Sequence, residues 1–283
     1  MTQTLLVVGH GMVAHRLVEA VRDRDREGRW RVVVVGEEPH PAYDRVALSS
    51  MFSNGFSNGL SSGFSHGAAG RAAAELALVG PGGYADPRVE LRLGERVRSV
   101  DRAARRVRTD RTELGYDALV LATGSTPFVP PVPGRDLPGC VTYRTLDDVA
   151  ALRARAAAGG GGVVVGGGLL GLEAAYALRQ LGLDVHVVEL ADRLMPLQVD
   201  AGGGEALRRR IAALGVTAHT GTGVAGIDPG PDGTVARVVL ADGTALPARL
   251  VVFAAGVRPR DELARGCGLA VGPCGGVAVD ETG

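Results

Sequence analysis

Lysine is absent from this chain of 283 residues, so every long basic side chain is an arginine. A chain without lysine cannot form a Schiff base through a side-chain amine, which excludes that form of covalent catalysis. Basic and acidic residues number 31 each, and the formal net charge is zero. This balance does not indicate binding to nucleic acid or to an anionic membrane, and we expect neither as a partner.

Cysteine is scarce. The three cysteines, Cys140, Cys267 and Cys274, are too few and too scattered for a disulfide framework or a four-cysteine cluster, and none forms Cys-x-x-Cys. We therefore expect reduced thiols. Metal-ligand spacing is also absent from the histidines, and we expect no metal site and no catalytic histidine. His10 falls in a turn where any side chain would serve.

Long apolar runs are missing too. No uninterrupted apolar stretch reaches the roughly 18 residues of a membrane span, since Glu173 and several glycines interrupt the best candidate at 163–178. The first strand begins almost at the N-terminus and leaves no basic, signal-like region before it. These features predict a cytoplasmic protein without a membrane association.

Glycine, in contrast, is abundant, with 43 residues, and it forms two fingerprints. Leu5–Val8 leads into Gly9-x-Gly11-x-x-Ala14, and Val163–Val165 leads into Gly166-x-Gly168-x-x-Gly171. In such a turn the first glycine makes the bend, the second lets a pyrophosphate approach, and the third packs the helix against the strand. Because each copy joins an apolar strand to a helical pattern, the chain is predicted to hold two dinucleotides.

Two further features occur twice in the same order. A second strand after each fingerprint ends in an acidic residue, Glu37 or Glu189, and a later strand ends in Ala122-Thr123-Gly124 or Ala254-Ala255-Gly256. A carboxylate at such a strand end can accept both hydroxyls of an adenosine ribose. Two tandem nucleotide-binding domains of one architecture are therefore predicted.

At this point the chain resembles the pyridine nucleotide-disulfide oxidoreductase-like flavoproteins. Within that superfamily it resembles the N-terminal part of the large subunits of assimilatory NAD(P)H-dependent nitrite reductases. The discriminating runs are Ala42-Tyr43-Asp44-Arg45-Val46-x-Leu48-Ser49-Ser50, Tyr143-Arg144-Thr145-Leu146-Asp147-Asp148 and Gly256-Val257-Arg258-Pro259-Arg260-Asp261.

The resemblance implies an α/β fold of two Rossmann-like, three-layer (ββα) dinucleotide-binding domains, with the NAD domain inserted in the FAD domain. We expect the first part of the FAD domain over 1–140, with a low-complexity loop at 52–70. The NAD(H) domain is expected over 141–256, and a return segment over 257–283. The family's later FAD-closing Gly-Asp turn does not appear, so we expect the C-terminal part of the FAD domain to be missing.

The resemblance, together with the fingerprints, also predicts the cofactor-binding residues. For FAD they are Gly9, Gly11, Met12, Ala14, Glu37, Glu38 as its runner-up, Arg45, Thr123 and Gly124. For NAD(H) they are Gly166, Gly168, Leu169, Leu170, Gly171, Glu173, Glu189 and Gly256. The alternative to a cofactor-binding role for Arg45 is a surface ion pair with Asp44. Glu189 favours NADH over NADPH because it repels a 2'-phosphate, although the nearby Arg193 weakens this inference.

Glu173 has two competing interpretations. We place it in the first turn of the helix, where a negative charge interacts favourably with the helix dipole. The resemblance instead implies that it orients the nicotinamide, which would make it the one candidate catalytic residue.

The implied function is that of an NADH-dependent FAD oxidoreductase, the electron-entry module of a nitrite reductase that converts nitrite to ammonium. The iron-sulfur and sirohaem domains are not in this chain, so its acceptor would lie on other domains or on another protein. Leu48-Ser49-Ser50 carries no redox cysteine, which argues against a disulfide reductase. The alternatives are a stand-alone rubredoxin- or ferredoxin-type NADH reductase and a non-catalytic nucleotide-binding fragment.

Overall fold

The computed structural model describes residues 2–52, 72–80 and 83–281. The predicted low-complexity loop at 52–70 lies outside the described residues, apart from Phe52.

The elements of the first part of the chain are β1 (Gln3–Val8), α1 (Met12–Arg24), β2 (Trp30–Gly36), a 3₁₀ helix (Val46–Phe52), a second 3₁₀ helix (Ala73–Leu76), β3 (Val89–Leu93), β4 (Val97–Asp101), β5 (Arg106–Thr109), β6 (Glu113–Gly115), β7 (Ala118–Leu121) and β8 (Ser125–Pro127). They are followed by β9 (Cys140–Thr142), α2 (Leu146–Ala156), β10 (Gly161–Val165), α3 (Leu169–Gln180), β11 (Asp184–Glu189), α4 (Ala201–Ala213), β12 (Val216–Thr220), β13 (Val224–Pro229), β14 (Val235–Leu240), β15 (Ala245–Pro247), β16 (Leu250–Phe253), β17 (Val257–Pro259) and α5 (Glu262–Gly266).

The chain packs as two compact units. The described residues of Met1–Arg45, Ala74–Thr126 and Arg258–Gly283 form unit 1, and those of Val46–Ala73 and Pro127–Val257 form unit 2. Packing therefore groups the 3₁₀ helix Val46–Phe52 with unit 2, whereas the sequence-based division at residue 140 groups it with the first domain. Which nucleotide each domain binds stays a prediction.

Unit 1 is built on a parallel sheet of strand order β3-β2-β1-β7. One face packs against α1 through Ala14 and Val18, and the other packs on the antiparallel sheet β4-β5-β6 through Val100 and Val107. Because both faces are covered, the central strands are continuously apolar rather than alternating. Four successive valines of β2, 32–35, are accordingly buried.

Unit 2 repeats this plan with a parallel sheet of order β12-β11-β10-β16-β9. Helix α2 begins with a capping box, in which Thr145 and Asp148 each bond the other's backbone N–H. An antiparallel sheet, β13-β14-β15, shares a core with β10 and β16 through Ile227, Val238 and Leu246. The predicted α/β fold is confirmed, with helix, parallel sheet and antiparallel sheet in each unit.

In the described ranges we find no helix whose length and apolar character would suit a membrane crossing.

Candidate functional site

The first glycine of each fingerprint is in close contact with the neighbouring strand end. Gly9 and Gly166 have φ angles of 105° and 115°, which side-chain-bearing residues rarely adopt. A Cβ at Gly9 would lie 2.2 Å from the carbonyl oxygen of Ala122, and one at Gly166 would lie 2.5 Å from that of Ala254. The turn of the fingerprint therefore packs against the strand end of the Ala-x-Gly motif, and it does so in the same way in each unit.

The second glycine of each fingerprint faces open space. Gly11 and Gly168 occupy the N-cap positions of α1 and α3, and a Cβ on either would meet no atom within 4 Å. No described side chain caps either helix. Bare backbone and uncapped N–H groups at a helix N-terminus suit a pyrophosphate, so this part of both turns fits a dinucleotide.

The third position differs between the units. Ala14 is fully buried beneath its turn. A Cβ at Gly171, in contrast, would lie 1.9 Å from the carbonyl oxygen of Gly166. Helix α3 therefore lies too close to its turn for any side chain at Gly171.

The residues that open the two helices are near the surface. Met12 is 38% exposed and Leu169 is 61% exposed, whereas Leu170 is partly buried. Their backbone N–H groups belong to the uncapped first turns described above.

Glu37 lies just beyond β2 and pairs with two arginines. One of its oxygens is 2.6 Å from Arg260 and the other is 3.4 Å from Arg96. The backbone of Arg260 is held in turn by Thr123 and Gly124: the Thr123 hydroxyl donates to the Arg260 carbonyl at 2.7 Å, and the Arg260 N–H donates to the Gly124 carbonyl at 3.0 Å. The predicted residues Glu37, Thr123 and Gly124 thus meet through Arg260, a residue of the run Gly256–Asp261 for which the sequence predicted no role.

Glu38 accepts from the Tyr43 hydroxyl at 2.7 Å and from the Arg45 guanidinium at 2.6 Å. The guanidinium also lies 4.8 Å from the centroid of the Tyr43 ring. Glu38 and Arg45 are therefore partners of each other. Arg45 therefore forms an ion pair with Glu38, and the alternative of an ion pair with Asp44 stays a prediction.

Glu189, at the end of β11, is held by backbone. It accepts from the Gly167 N–H at 2.6 Å and from the Ala191 N–H at 2.8 Å, one bond on each oxygen. A Cβ at Gly167 would lie 2.9 Å from the Glu189 Cβ. The middle glycine of the fingerprint, for which the sequence predicted no role, therefore makes room for the side chains of Glu189 and Leu194. Each oxygen keeps a lone pair for a ribose hydroxyl.

Arg193 is engaged away from Glu189. Its guanidinium donates to the carbonyls of Val199 and Pro196, at 3.1 and 3.2 Å, and to the Asp192 carboxylate at 2.9 Å. A 2'-phosphate would compete with these acceptors for Arg193.

Glu173 is the fifth residue of α3, and the first turn of this helix holds no acidic residue. The expectation that Glu173 lies in the first turn is therefore wrong, and the helix dipole no longer explains this residue. Glu173 instead accepts a hydrogen bond of 2.5 Å from the Ser49 hydroxyl.

Gly256, beyond β16, has a φ of 101° and open space where its Cβ would be.

His10 occupies the middle of the first fingerprint and is specifically bonded, contrary to the expectation that any side chain would serve. Its Nδ1 accepts the Ala42 N–H, so Nε2 carries the proton and donates to the Tyr84 hydroxyl at 3.1 Å. Tyr84 then donates to Nδ1 of His15, also at 3.1 Å. Burial and the neighbouring His15 lower the pKa of His10 to about 4. The turn therefore has a neutral imidazole at physiological pH.

Two uncapped glycine turns at parallel strand ends, each with a held carboxylate nearby, define the site class. It is that of an oxidoreductase with two dinucleotide-binding folds. The family model for pyridine nucleotide-disulphide oxidoreductases matches residues 3–283. The chain belongs to this family, whose members use FAD and a nicotinamide dinucleotide.

Named relatives refine the comparison. The chain is 48% identical to the nitrite reductase [NAD(P)H] large subunit of Klebsiella oxytoca over 99% of its own length and 28% of that protein. It is 34% identical to the ferredoxin–NAD(+) reductase component of the biphenyl dioxygenase system of Paraburkholderia xenovorans, over 100% of the chain and 64% of the relative. Among solved structures, the ferredoxin reductase for the CYP199A2 system of Rhodopseudomonas palustris matches with a TM-score of 0.85 and 31% identity, over 99% of this chain and 65% of that one. The resemblance and the fold class stated from the sequence are confirmed. The chain spans less than a third of the nitrite reductase relative's length.

The contrast between Gly168 and Gly171 gives a stability prediction. Gly171→Ala should destabilise the protein by about 1–3 kcal/mol because a methyl group would be forced against the Gly166 carbonyl. Gly168→Ala should leave stability unchanged, since its position is open and its φ of −79° suits any residue. Urea unfolding of both variants measures this, and equal stabilities would contradict it.

His10 gives a pH prediction. Its folded-state pKa of about 4 lies below the ordinary 6.5, so the unfolded chain takes up the proton first as pH falls. The stability contributed by neutral His10 is complete above pH 6.5 and is lost as pH falls towards about 4. His10→Gln should therefore lose less stability than the native chain between these pH values. Parallel urea midpoints for the two proteins would contradict this account.

Proposed function

We propose that this chain is the NADH-oxidising flavoprotein module of a nitrite reductase. The observation that carries the proposal is the 48% identity, over 99% of the chain, to a nitrite reductase large subunit. The module would accept electrons from NADH and deliver them to an iron-sulfur or sirohaem centre on other domains or another protein. We further propose the FAD domain for the sequence around Gly9 and the NAD(H) domain, 141–256, for that around Gly166.

Each nucleotide is proposed to bind through the same set of groups. Uncapped helix N-termini at Gly11 and Gly168 would hold the pyrophosphates, and Glu37 and Glu189 would accept from the adenosine riboses. Arg45 would lie near the FAD diphosphate, where its guanidinium could exchange Glu38 for phosphate oxygens.

Bound FAD and NADH would supply hydride transfer and one-electron release, for which no side chain of this protein is suited. The residues contribute position instead. Burial of the strand ends keeps the turns rigid, and the held carboxylates select the orientation of each ribose.

The cysteines support an outward path for the electrons. Cys140 and Cys267 are partly buried and point their thiols at backbone carbonyls of Gly134 and Ala264, and Cys274 is exposed. Burial raises the pKa of Cys140 to about 11, which keeps it an unreactive thiol. All three are free, so no disulfide is available as an internal acceptor.

A ferredoxin-type reductase is the second candidate. It is favoured by the 34% identity to a ferredoxin–NAD(+) reductase component, of which this chain spans a larger share than it does of the nitrite reductase.

Spectroscopy and acceptor kinetics test both candidate functions, the nitrite reductase module and the ferredoxin-type reductase. The purified chain supplied with FAD should show a flavin band that NADH bleaches anaerobically, and ferricyanide should reoxidise it even after thiol alkylation. Saturable reduction of an added ferredoxin at micromolar concentration would favour the second candidate. A chain that binds nucleotides without bleaching would contradict both and indicate a non-catalytic binder.

Cofactor preference is predicted to depend on Glu189. Loss of a hydrogen bond to a charged group costs about 1.5–3 kcal/mol, so Glu189→Ala should weaken NADH binding by about ten-fold or more. NADPH binding should strengthen, because the like charge facing its 2'-phosphate is removed.

The matched control is Glu37→Ala, which removes the corresponding carboxylate of unit 1. It should reduce flavin occupancy and leave the ratio of NADH to NADPH affinity unchanged. Fluorescence titration of both nucleotides measures these effects. A preference that changes in Glu37→Ala and not in Glu189→Ala would mean that the two nucleotides have been assigned to the wrong domains.

A further inference from the structure

Two histidines that are 33 residues apart in sequence meet on neighbouring strands of unit 2. His186 lies on β11, and His219 lies on β12, the strand at the edge of the parallel sheet. Because His219 stands opposite Val188 in the register, both histidines project from the same face of the sheet. Nδ1 of His186 and Nε2 of His219 are 3.1 Å apart. We refer to these two residues as the histidine pair.

The two ring nitrogens share a hydrogen bond, so one ring donates its N–H and the other accepts with its lone pair. The Asp184 carboxylate lies 3.7 Å from Nε2 of His186. It favours the tautomer of His186 with the proton on Nε2, which leaves Nδ1 as the acceptor. A carboxylate beside the second ring nitrogen is also the usual arrangement of a histidine that binds a metal.

The electrostatic surroundings of the histidine pair favour a bound cation. Burial, and after it the neighbouring His186, lower the pKa of His219, while Asp242 in the turn between β14 and β15 opposes this effect. His219 is therefore neutral at pH 7, the state in which an imidazole binds a metal. A divalent ion beside the pair would be attracted by both Asp184 and Asp242.

The histidine pair can be reached from solvent. The side chain of His186 is 18% exposed, and that of Asp184 beside it is 78% exposed. Over the described ranges, no group of three or more His, Cys, Asp or Glu side chains is placed to hold a metal ion. The protein therefore offers two ligands here, and water would complete the coordination shell.

The separation of the two nitrogens is close to that of two ligands on one ion. With zinc–nitrogen distances of about 2.0–2.1 Å, two ligands of a tetrahedral Zn²⁺ lie about 3.4 Å apart. The pair would widen by a few tenths of an ångström, and both rings would rotate so that their lone pairs meet beside the line between the nitrogens. Such changes of side-chain angle leave the strand pairing intact.

We propose that His186 and His219 form a binding site for one divalent transition-metal ion of the kind that prefers imidazole, represented by Zn²⁺. His186 binds through Nδ1 and His219 through Nε2, and the His219 proton moves from Nε2 to Nδ1 as the ion replaces the hydrogen bond. The ion ties the edge strand β12 to β11, the strand that ends at Glu189. The sequence predicts no metal site because strand pairing alone brings the two histidines together. The site requires neither nucleotide and is independent of the proposed function.

Zinc titration by calorimetry tests the proposal on the thiol-alkylated chain, in which the three cysteines no longer compete for the ion. One Zn²⁺ should bind at the pair, and His186→Gln and His219→Gln should each weaken its binding by more than ten-fold, because a single imidazole remains. The matched control is His15→Gln, which removes an imidazole beside a carboxylate, Glu19, in unit 1 and should leave the affinity unchanged. Mg²⁺, which prefers oxygen ligands, should not bind at the pair.

Two further measurements do not depend on calorimetry. Zn²⁺ should raise the urea midpoint of the native chain and leave that of His219→Gln unchanged, since an ion that binds only the folded state stabilises it. In the native chain, the ring-proton NMR signals of two of the six histidines should shift with Zn²⁺. Equal Zn²⁺ affinity in the native chain and both variants of the pair would overturn the proposal, as would a native chain in which no histidine signal shifts.

Discussion

The contact on which both halves of this protein depend is that between a glycine and an alanine carbonyl. Gly9 lies against Ala122, and Gly166 lies against Ala254, with the Ala N–H bonded in each case to the last residue of the preceding central strand. This contact turns the chain sharply at the strand end and aims the following helix N-terminus outward. The pyrophosphate sites that we propose follow from that direction, since an uncapped N-terminus is useful only where a phosphate can reach it.

The two units then differ in how they hold their acidic residue. Glu189 is anchored by backbone N–H groups of its own turn, so its position depends on local structure. Glu37 is anchored by Arg260, which arrives from the far end of the chain and is itself bonded to Thr123 and Gly124. The proposed FAD site is therefore completed by long-range folding, whereas the proposed nicotinamide-nucleotide site is largely a property of one βαβ unit.

The hydrogen bond between Ser49 and Glu173 shows a third kind of organisation. Segment Val46–Phe52 follows the first βαβ unit in sequence but packs with unit 2. It brings a hydroxyl to a carboxylate that otherwise has no partner among the described residues.

The sequence alone determined the family, the α/β fold and the residues of both turns, because a strand followed by a glycine turn is a local pattern with one physical solution. It placed Glu173 in the first turn of α3, whereas this residue is the fifth of the helix. It assigned no role to His10, Gly167, Ser49 or Arg260. Their roles depend on partners up to 223 residues away, as in the pair Arg260–Glu37, and only tertiary packing brings such partners together.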